Sequence, residues 1–219
     1  MFGLHRTLTM LVICTTLMAL SLQAQSSVKQ LFSFDGDKLM MLPKGFESVV
    51  TGSGPEGEWR VMKDPTAPSP ANVLSHIPIL TTNLNYPVAF VSEGSYDDVL
   101  VKVKVKMVAG KIDFGGGIVL RYSDPKNYYV CRINAIEDIR MFKMTNGKRS
   151  TIASTLLEIP AQVWHQLEFE IRKSQLKGYL NGKLVIEARE SSLKEGKVGL
   201  WLKADSHTYF DDFEVIPLN

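Results

Sequence analysis

A strict alternation of apolar and polar residues is the feature that most restricts how this chain can fold. In "DVLVKVKVKM", residues 98–107, every second residue from Val99 to Met107 is apolar, while Lys102, Lys104 and Lys106 fall on the opposite face. A period of two predicts a β-strand with one buried face. The lysine row is compatible with a heparin-like partner. A solvated face or a guarded sheet edge is favoured, because lysines commonly protect edges.

Further segments repeat the strand pattern and are separated by turn residues. "VWHQLEFEIR", residues 163–172, alternates in the same way, and Asn146-Gly147 and Asn181-Gly182 each lie between apolar-rich runs. Asn-Gly is a strong hairpin signal, because both residues tolerate a positive φ. No segment of ten residues or more shows a helical stripe, so the pattern predicts an antiparallel sandwich or barrel. The stretch at 51–74, rich in Gly and Pro, is expected to be loop.

The N-terminus has the layout of a secretory signal peptide. Arg6 precedes an apolar run at 8–22, and Ala24 provides a small residue for cleavage. The run is short for a membrane span, which needs about 20 residues; an uncleaved anchor is the alternative. We therefore predict a signal peptide at 1–24, a secreted or periplasmic protein without a membrane span after cleavage, and one domain at 25–219.

Charge and cysteine usage narrow the classes of partner. Loss of residues 1–24 removes Arg6 from the 25 basic residues and leaves 24, against 23 acidic residues. This near-neutral balance gives no reason to expect a nucleic-acid partner. Cys131 is the single cysteine after cleavage, so no intrachain disulfide can form, and a buried packing role is favoured over a nucleophile.

Two catalytic patterns are considered and disfavoured. Asp205-Ser206-His207 has the residue types of a triad, but neighbours in a strand point to opposite faces and cannot meet. Glu168 and Glu170 share a strand face at a spacing of about 7 Å, yet no acidic partner is visible on another strand. A solvated face explains them better.

Calcium is the metal that the sequence makes plausible. "FDGD" supplies Asp35 and Asp37, and "DDF" supplies Asp211 and Asp212, all hard oxygen ligands. Terminal strands often lie side by side in sandwiches, which would bring the pairs together; the alternative is that the first pair only builds a turn. The histidines lack zinc spacing. We predict no required cofactor and consider a structural calcium ion.

Strand parity places polar and aromatic residues on one common face. In "GGGIVLRY", Ile118, Leu120 and Tyr122 oppose Arg121; in "YYVCRIN" and "VGLWLKAD" the residues opposite the apolar set are Tyr128, Arg132, Asn134, Trp201, Lys203 and Asp205. Arg and Asn bind hydroxyls or carboxylates in two-point fashion, and aromatic rings cover apolar sugar faces. The face suits a polyhydroxylated ligand. An ordinary solvated sheet face is the alternative.

The run "GGGIVLRYSDPKNYYVCRINAIEDIRMFK", followed by "GLWLKADSHTYFDDFEV", resembles the 3-keto-disaccharide hydrolase domain family. That family belongs with the concanavalin A-like, laminin G-like jelly rolls. The resemblance implies an exported two-sheet antiparallel jelly roll with a concave carbohydrate-facing sheet. The positions that it marks are Arg121, Tyr122, Tyr128, Arg132, Asn134, Glu137, Trp201, Lys203 and Asp205.

The predicted function is carbohydrate recognition, with glycoside hydrolysis as an added possibility. Arg121 and Arg132 would bind ring oxygens, Asn134 would orient the sugar and Trp201 would stack on it; Tyr128 and Lys203 complete the set. Glu137 and Asp205 are the only nominated acid/base pair. A non-catalytic laminin G-like interaction domain is the alternative. The sequence names neither the sugar nor the oligomeric state.

Overall fold

The computed structural model describes residues 28–69, 71–78 and 82–218, which form fifteen β-strands. The predicted signal peptide lies outside these residues. The strands are β1 (Gln30–Phe32), β2 (Phe46–Gly52), β3 (Glu58–Lys63), β4 (Asn72–Ile77), β5 (Asn85–Val91), β6 (Val99–Ala109), β7 (Gly115–Asp124), β8 (Asn127–Asn134), β9 (Ile139–Thr145), β10 (Lys148–Thr155), β11 (His165–Arg172), β12 (Gln175–Leu180), β13 (Lys183–Arg189), β14 (Lys197–Trp201) and β15 (His207–Pro217).

The strands make two antiparallel sheets. Sheet A has the order β13-β12-β11-β6-β15-β4-β3, with β1 paired to the far end of β15, and sheet B has the order β10-β9-β8-β7-β14-β5-β2. The alternation predicted an antiparallel sandwich or barrel, and the two-sheet antiparallel sandwich is confirmed. Among the described residues, no helix is long and apolar enough to cross a membrane.

The main core lies between the two sheets and follows the predicted parity. Every second residue of β6 from Val99 to Met107 is buried there, together with the inward residues of β7, β8 and β14. Burial of one such aliphatic side chain is worth about 1.5–3 kcal/mol, so these alternating stretches fix which face of each strand points inward.

Both Asn-Gly pairs form the predicted hairpins. Asn146 and Gly147 have φ values of 51° and 76°, and Asn181 and Gly182 have φ values of 51° and 78°. Two consecutive positive φ angles give the turn whose twist matches that of the flanking strands. The hairpins join β9 to β10 and β12 to β13.

Three local expectations are corrected by the structure. The stretch at 51–74, expected to be loop, contains β3 and the start of β4, because alternation in "EWRVMK" buries Trp59 and Val61. β6 is an inner strand rather than an edge; Lys102 and Lys104 are partly exposed on its outer face, whereas Lys106 is buried and pairs with Asp64. Val163 precedes β11 and is 46% exposed, so the predicted alternation starts at His165.

Candidate functional site

The outer face of sheet B is strongly concave. The hydroxyls of Thr51 and Tyr128 are 2.5 Å apart, although three strands separate β2 from β8. In a flat sheet these strands would be about 19 Å apart, which the two side chains cannot span. The guanidinium of Arg149, on β10, also lies 4.9 Å from the ring centroid of Tyr86 on β5. Sheet B therefore curls, which brings side chains from strands far apart in the sheet into contact.

An aromatic cluster fills the floor of this concave face. Trp201 stacks on Tyr86 with ring centroids 5.7 Å apart and packs against Phe142 at 6.2 Å. The guanidinium of Arg149 lies over both Tyr86 and Phe142, and Trp201 is only 1% exposed. The predicted face is thus a second hydrophobic cluster, and Trp201 supports the floor instead of presenting an open platform.

Gly117 explains how the large Trp201 side chain is accommodated. Its register partners are Trp201 on β14 and Arg132 on β8. A Cβ at Gly117 would lie 2.6 Å from the Cys131 carbonyl oxygen and 3.0 Å from the Arg132 Cα, so no larger residue fits. The glycine run that begins β7 therefore allows β8 to approach closely and leaves room beside the indole.

Charged and polar side chains gather at one end of the concave face. We call this set the polar rim. Its members are Asp113, Arg132, Asn134, Glu137, Asp138, Arg140 and Lys203.

The rim is an ordered network of ion pairs and hydrogen bonds. Arg132 donates to Glu137 and lies 3.4 Å from Asp138, which accepts from Arg140 at 2.8 Å. The Asn134 amide and the Lys203 ammonium each donate to Asp113 at 3.0 Å. Because the carboxylates hold the cationic side chains in place, the donors are pre-organised for a ligand.

Arg132 is the most unusual member of the rim. It is 2% exposed, and its Nε and Nη1 atoms have no hydrogen-bond partner among the described residues. Buried donors without a partner are costly and uncommon in native structures. Glu137, whose side chain is 44% exposed, brings this buried guanidinium into contact with the surface.

The structure brings together five of the predicted binding residues. Arg132, Asn134 and Lys203 belong to the polar rim, and Tyr128 and Trp201 belong to the adjoining aromatic cluster. Tyr122 also lies in this cluster, although simple alternation placed it with the core. A register shift between Leu120 and Asp124 changes the parity of β7 at this point.

Arg121, predicted to contact the sugar, does not lie on this face of sheet B. Its side chain donates to the carbonyl oxygens of Asp97, Leu193 and Lys173 at 2.5–3.0 Å. It is buried and has a φ of 50° within the irregular part of β7, which turns its side chain away from the aromatic cluster. Arg121 therefore ties together three loops at the end of the sandwich.

The two nominated acids have different surroundings. The Asp205 carboxylate accepts hydrogen bonds from the backbone amides of Lys111, Ile112 and Asp113 at 2.8–3.1 Å. Burial alone would raise the pKa of Asp205, but these donors outweigh it and hold the pKa below its usual value. For Glu137, burial is likewise outweighed by Arg132, and the pKa is lowered. Neither carboxyl favours the protonated form that a general acid needs.

The four aspartates considered for calcium have different surroundings. Asp35 and Asp37 accept from the amides of Asn72 and Lys44, and Asp211 accepts from the amide and hydroxyl of Ser69. Asp212 instead lines a cleft on sheet A. Within the described ranges, no three Asp, Glu, His or Cys side chains are grouped to hold a metal. Calcium binding remains a prediction.

Sequence reasoning missed several residues of the site. Arg140 pairs in register with Arg132, and Asp138 precedes Arg140 by two residues, so alternation along "DIRMFK" could have revealed both if β8 and β9 had been taken as a hairpin. Tyr86 joins the site from β5, the neighbour of β14, and Phe142 and Arg149 join it through the curl of sheet B. That curl leaves no local pattern in the sequence.

The architecture is the concanavalin A-like, galectin-like jelly roll found in carbohydrate-binding modules. Carbohydrate-binding module CBM66 from Bacillus subtilis superposes with a TM-score of 0.63 at 23% identity, over 81% of this chain and 99% of that chain. Domain 4 of AbnA, an extracellular arabinanase from Geobacillus stearothermophilus solved with arabinotriose, gives a TM-score of 0.52 at 13% identity, over 84% and 89%.

Sequence comparison points to the same group of proteins. A levanase from Bacillus subtilis strain 168 is 31% identical over 111 residues, which are 50% of this chain and 16% of the levanase. The match thus spans only a small part of that enzyme. No family model matches the sequence, so the 3-keto-disaccharide hydrolase resemblance is not shown beyond the shared jelly roll.

Proposed function

We propose that this chain is an exported carbohydrate-binding module that holds a saccharide at the polar rim of sheet B. The observation that carries the proposal is the ordered polar rim, in which the buried Arg132 guanidinium holds the half-exposed Glu137 carboxylate in place beside Lys203 and Arg140. Paired donors and acceptors of this kind suit the vicinal hydroxyls of a sugar. The predicted signal peptide and the extracellular arabinanase support export.

The names of the similar proteins suggest which saccharides to test first. The levanase name indicates levan, and the AbnA domain was solved with arabinotriose, so both sugars are the first probes to try. Because Trp201 is buried against Tyr86 and Phe142, the rim would contact the ligand mainly through polar groups. Specificity would then depend on the hydroxyl pattern of the sugar.

Glycoside hydrolysis by Glu137 and Asp205 is the less supported function. Asp205 is occupied by three backbone amides, and the pKa values of both carboxyls are lowered. A hydrolase needs one carboxyl kept protonated as the acid, and this pair does not supply it. The rim therefore fits binding better than turnover.

Isothermal titration with levan oligosaccharides and arabinotriose tests the binding function. Lys203→Met and Glu137→Gln should each raise the Kd about tenfold or more, since each removes a charge-assisted hydrogen bond. Lys148→Met is the matched control, because this exposed lysine lies on β10 outside the rim. Product analysis should find no sugar release by the unmodified protein.

Two results would count against this function. Release of sugar that Glu137→Gln abolishes would favour the hydrolase. Absence of binding across a broad glycan array would favour a laminin G-like interaction domain.

A further inference from the structure

The outer face of sheet A, opposite the concave face, holds two adjoining clefts. One has a volume of about 270 Å³ and is lined by residues that include Leu31, Asp212 and Glu214. The other has about 570 Å³ and is lined by residues that include Trp164 and Asn181. Lys104 and Gln166 line both, so the clefts adjoin at these two side chains, and we call the two clefts together the groove.

The groove runs across the strands. Lys104 on β6 pairs in register with Gln166 on β11, and Asp211, next to Asp212, pairs with Lys104 from β15. On the other side, Asn181 accepts a hydrogen bond from the backbone amide of Gln166. From β15 to the β12–β13 turn, three strand spacings give a length of about 14 Å, which suits an extended ligand.

Trp164 provides a fixed aromatic wall at one end of the groove. Its indole N–H donates to the Thr66 hydroxyl at 3.3 Å, and the Lys106 ammonium lies 5.1 Å from its ring centroid. The ring is half-buried, in contrast to the fully covered Trp201. A ring that is already immobilised loses little conformational entropy when a sugar packs against it.

Hydrogen-bonding groups follow the floor of the groove. The Lys104 ammonium donates to the Gln166 side-chain oxygen at 2.8 Å, which leaves two of its three N–H donors for other partners. The Gln166 amide nitrogen donates to Glu168 at 2.8 Å, so the amide orientation is fixed. The floor thus presents oriented donors between an aliphatic wall at Leu31 and the aromatic wall at Trp164.

The charges along the groove select the class of ligand. Lys102 and Lys104 are balanced by Asp212 and Glu214, so the lining has no net charge from these four residues. A polyanion such as heparin would meet two carboxylates and gain no net attraction. We propose that this groove is a second saccharide site, which binds a neutral oligosaccharide across the strands of sheet A, independently of the polar rim.

The three tryptophans make the two sites separable in one experiment. Trp164 reports on the groove, Trp201 on the concave face, and the buried Trp59 is an internal reference. Indole ¹H–¹⁵N signals of the full-length mature protein would be followed during titration with cellohexaose, arabinotriose, levan oligosaccharides and a heparin hexasaccharide. We expect a neutral oligosaccharide to shift the Trp164 signal saturably while the Trp59 signal stays in place.

Four substitutions test whether the change in the Trp164 signal comes from binding in the groove. Lys104→Ala should weaken the Trp164 response about tenfold, and Trp164→Ala should cause a similar loss measured by calorimetry. Lys177→Ala, on β12 of the same sheet and outside both clefts, is the matched control. Lys203→Met, in the polar rim, should leave the Trp164 response unchanged.

The outcomes distinguish this proposal from the concave site. If a sugar shifts only Trp201, the groove proposal is wrong and the polar rim stands. If Lys203→Met abolishes the Trp164 response, the groove is not an independent site. A response to heparin alone would overturn the neutral class, and no Trp164 response to any neutral probe would overturn the groove.

Discussion

His76 is a buried histidine whose two ring nitrogens have no hydrogen-bond partner among the described residues. It packs edge-on against Trp59 at 5.5 Å, and burial lowers its pKa to about 4 from an ordinary value of 6.5. The unfolded chain therefore binds a proton more readily than the folded protein between these two values. Stability should be complete above pH 6.5 and fall as the pH decreases towards 4.

The expected loss from His76 is about 2 kcal/mol between pH 7 and pH 5. Urea unfolding at several pH values would measure it. His76→Phe keeps a ring but removes the titrating group, so its stability should vary less over this range. His207 provides the comparison, because burial also lowers its pKa. The His207→Gln variant should retain most of the dependence of stability on pH. Equal slopes for the unmodified protein and His76→Phe would contradict the assignment.

At the level of single elements, β7 shows how one irregularity changes the role of a residue. Alternation correctly placed Ile118 and Leu120 in the core, but the register shift after Leu120 sends Arg121 into the end of the sandwich. There it joins the β11–β12 turn at Lys173 to the loops at Asp97 and Leu193. At this position the guanidinium makes hydrogen bonds that hold the three segments together.

Arg121→Met should lower the free energy of unfolding by about 3–5 kcal/mol, because it leaves several buried carbonyl oxygens without their donor. Chemical unfolding measures this change. Arg172→Met, at an exposed ion pair with Glu170, is the control and should cost less than about 1 kcal/mol. Folded Arg121→Met protein should bind sugar with unchanged affinity; a loss of affinity at full folding would return Arg121 to the binding site.

At the level of the whole molecule, the first and last strands of the described residues lie side by side, as the sequence reasoning expected. β1 pairs with β15, from Gln30 opposite Val215 to Phe32 opposite Phe213. Asp35 and Asp211 both hold the segment that links β3 to β4, through Asn72 and Ser69. Asp35 follows the first strand and Asp211 lies on the last strand. Their hydrogen bonds therefore fasten both of these parts of the chain to the segment at 69–72.

The calcium prediction concerns this closure and can be tested directly. An ion present at a hundredfold excess over its Kd would add about 2.7 kcal/mol. EDTA should then lower the Tm by roughly 5–10 °C, and Asp211→Asn should remove that response. The same thermal scan with Asp124→Asn, in the β7–β8 turn, is the control. An identical Tm with and without EDTA would eliminate calcium.

The sequence by itself determined the fold class, the inward face of most strands and both Asn-Gly hairpins. These features depend on periodicity and on local φ preferences, which are properties of neighbouring residues. The grouping of Arg132, Asn134, Trp201 and Lys203 on one sheet also followed from parity once the strands were taken as neighbours.

Only the tertiary structure decided how those residues are used. Trp201 packs against Tyr86 from the neighbouring strand β5, and the curl of sheet B brings Phe142 from the distant strand β9 against it as well. The sandwich also places Trp164 in a groove on the opposite face, beside Lys104 and Gln166. Curvature and sheet order arise from packing among distant segments, so local residue patterns do not encode which aromatic ring is covered and which lines a cleft.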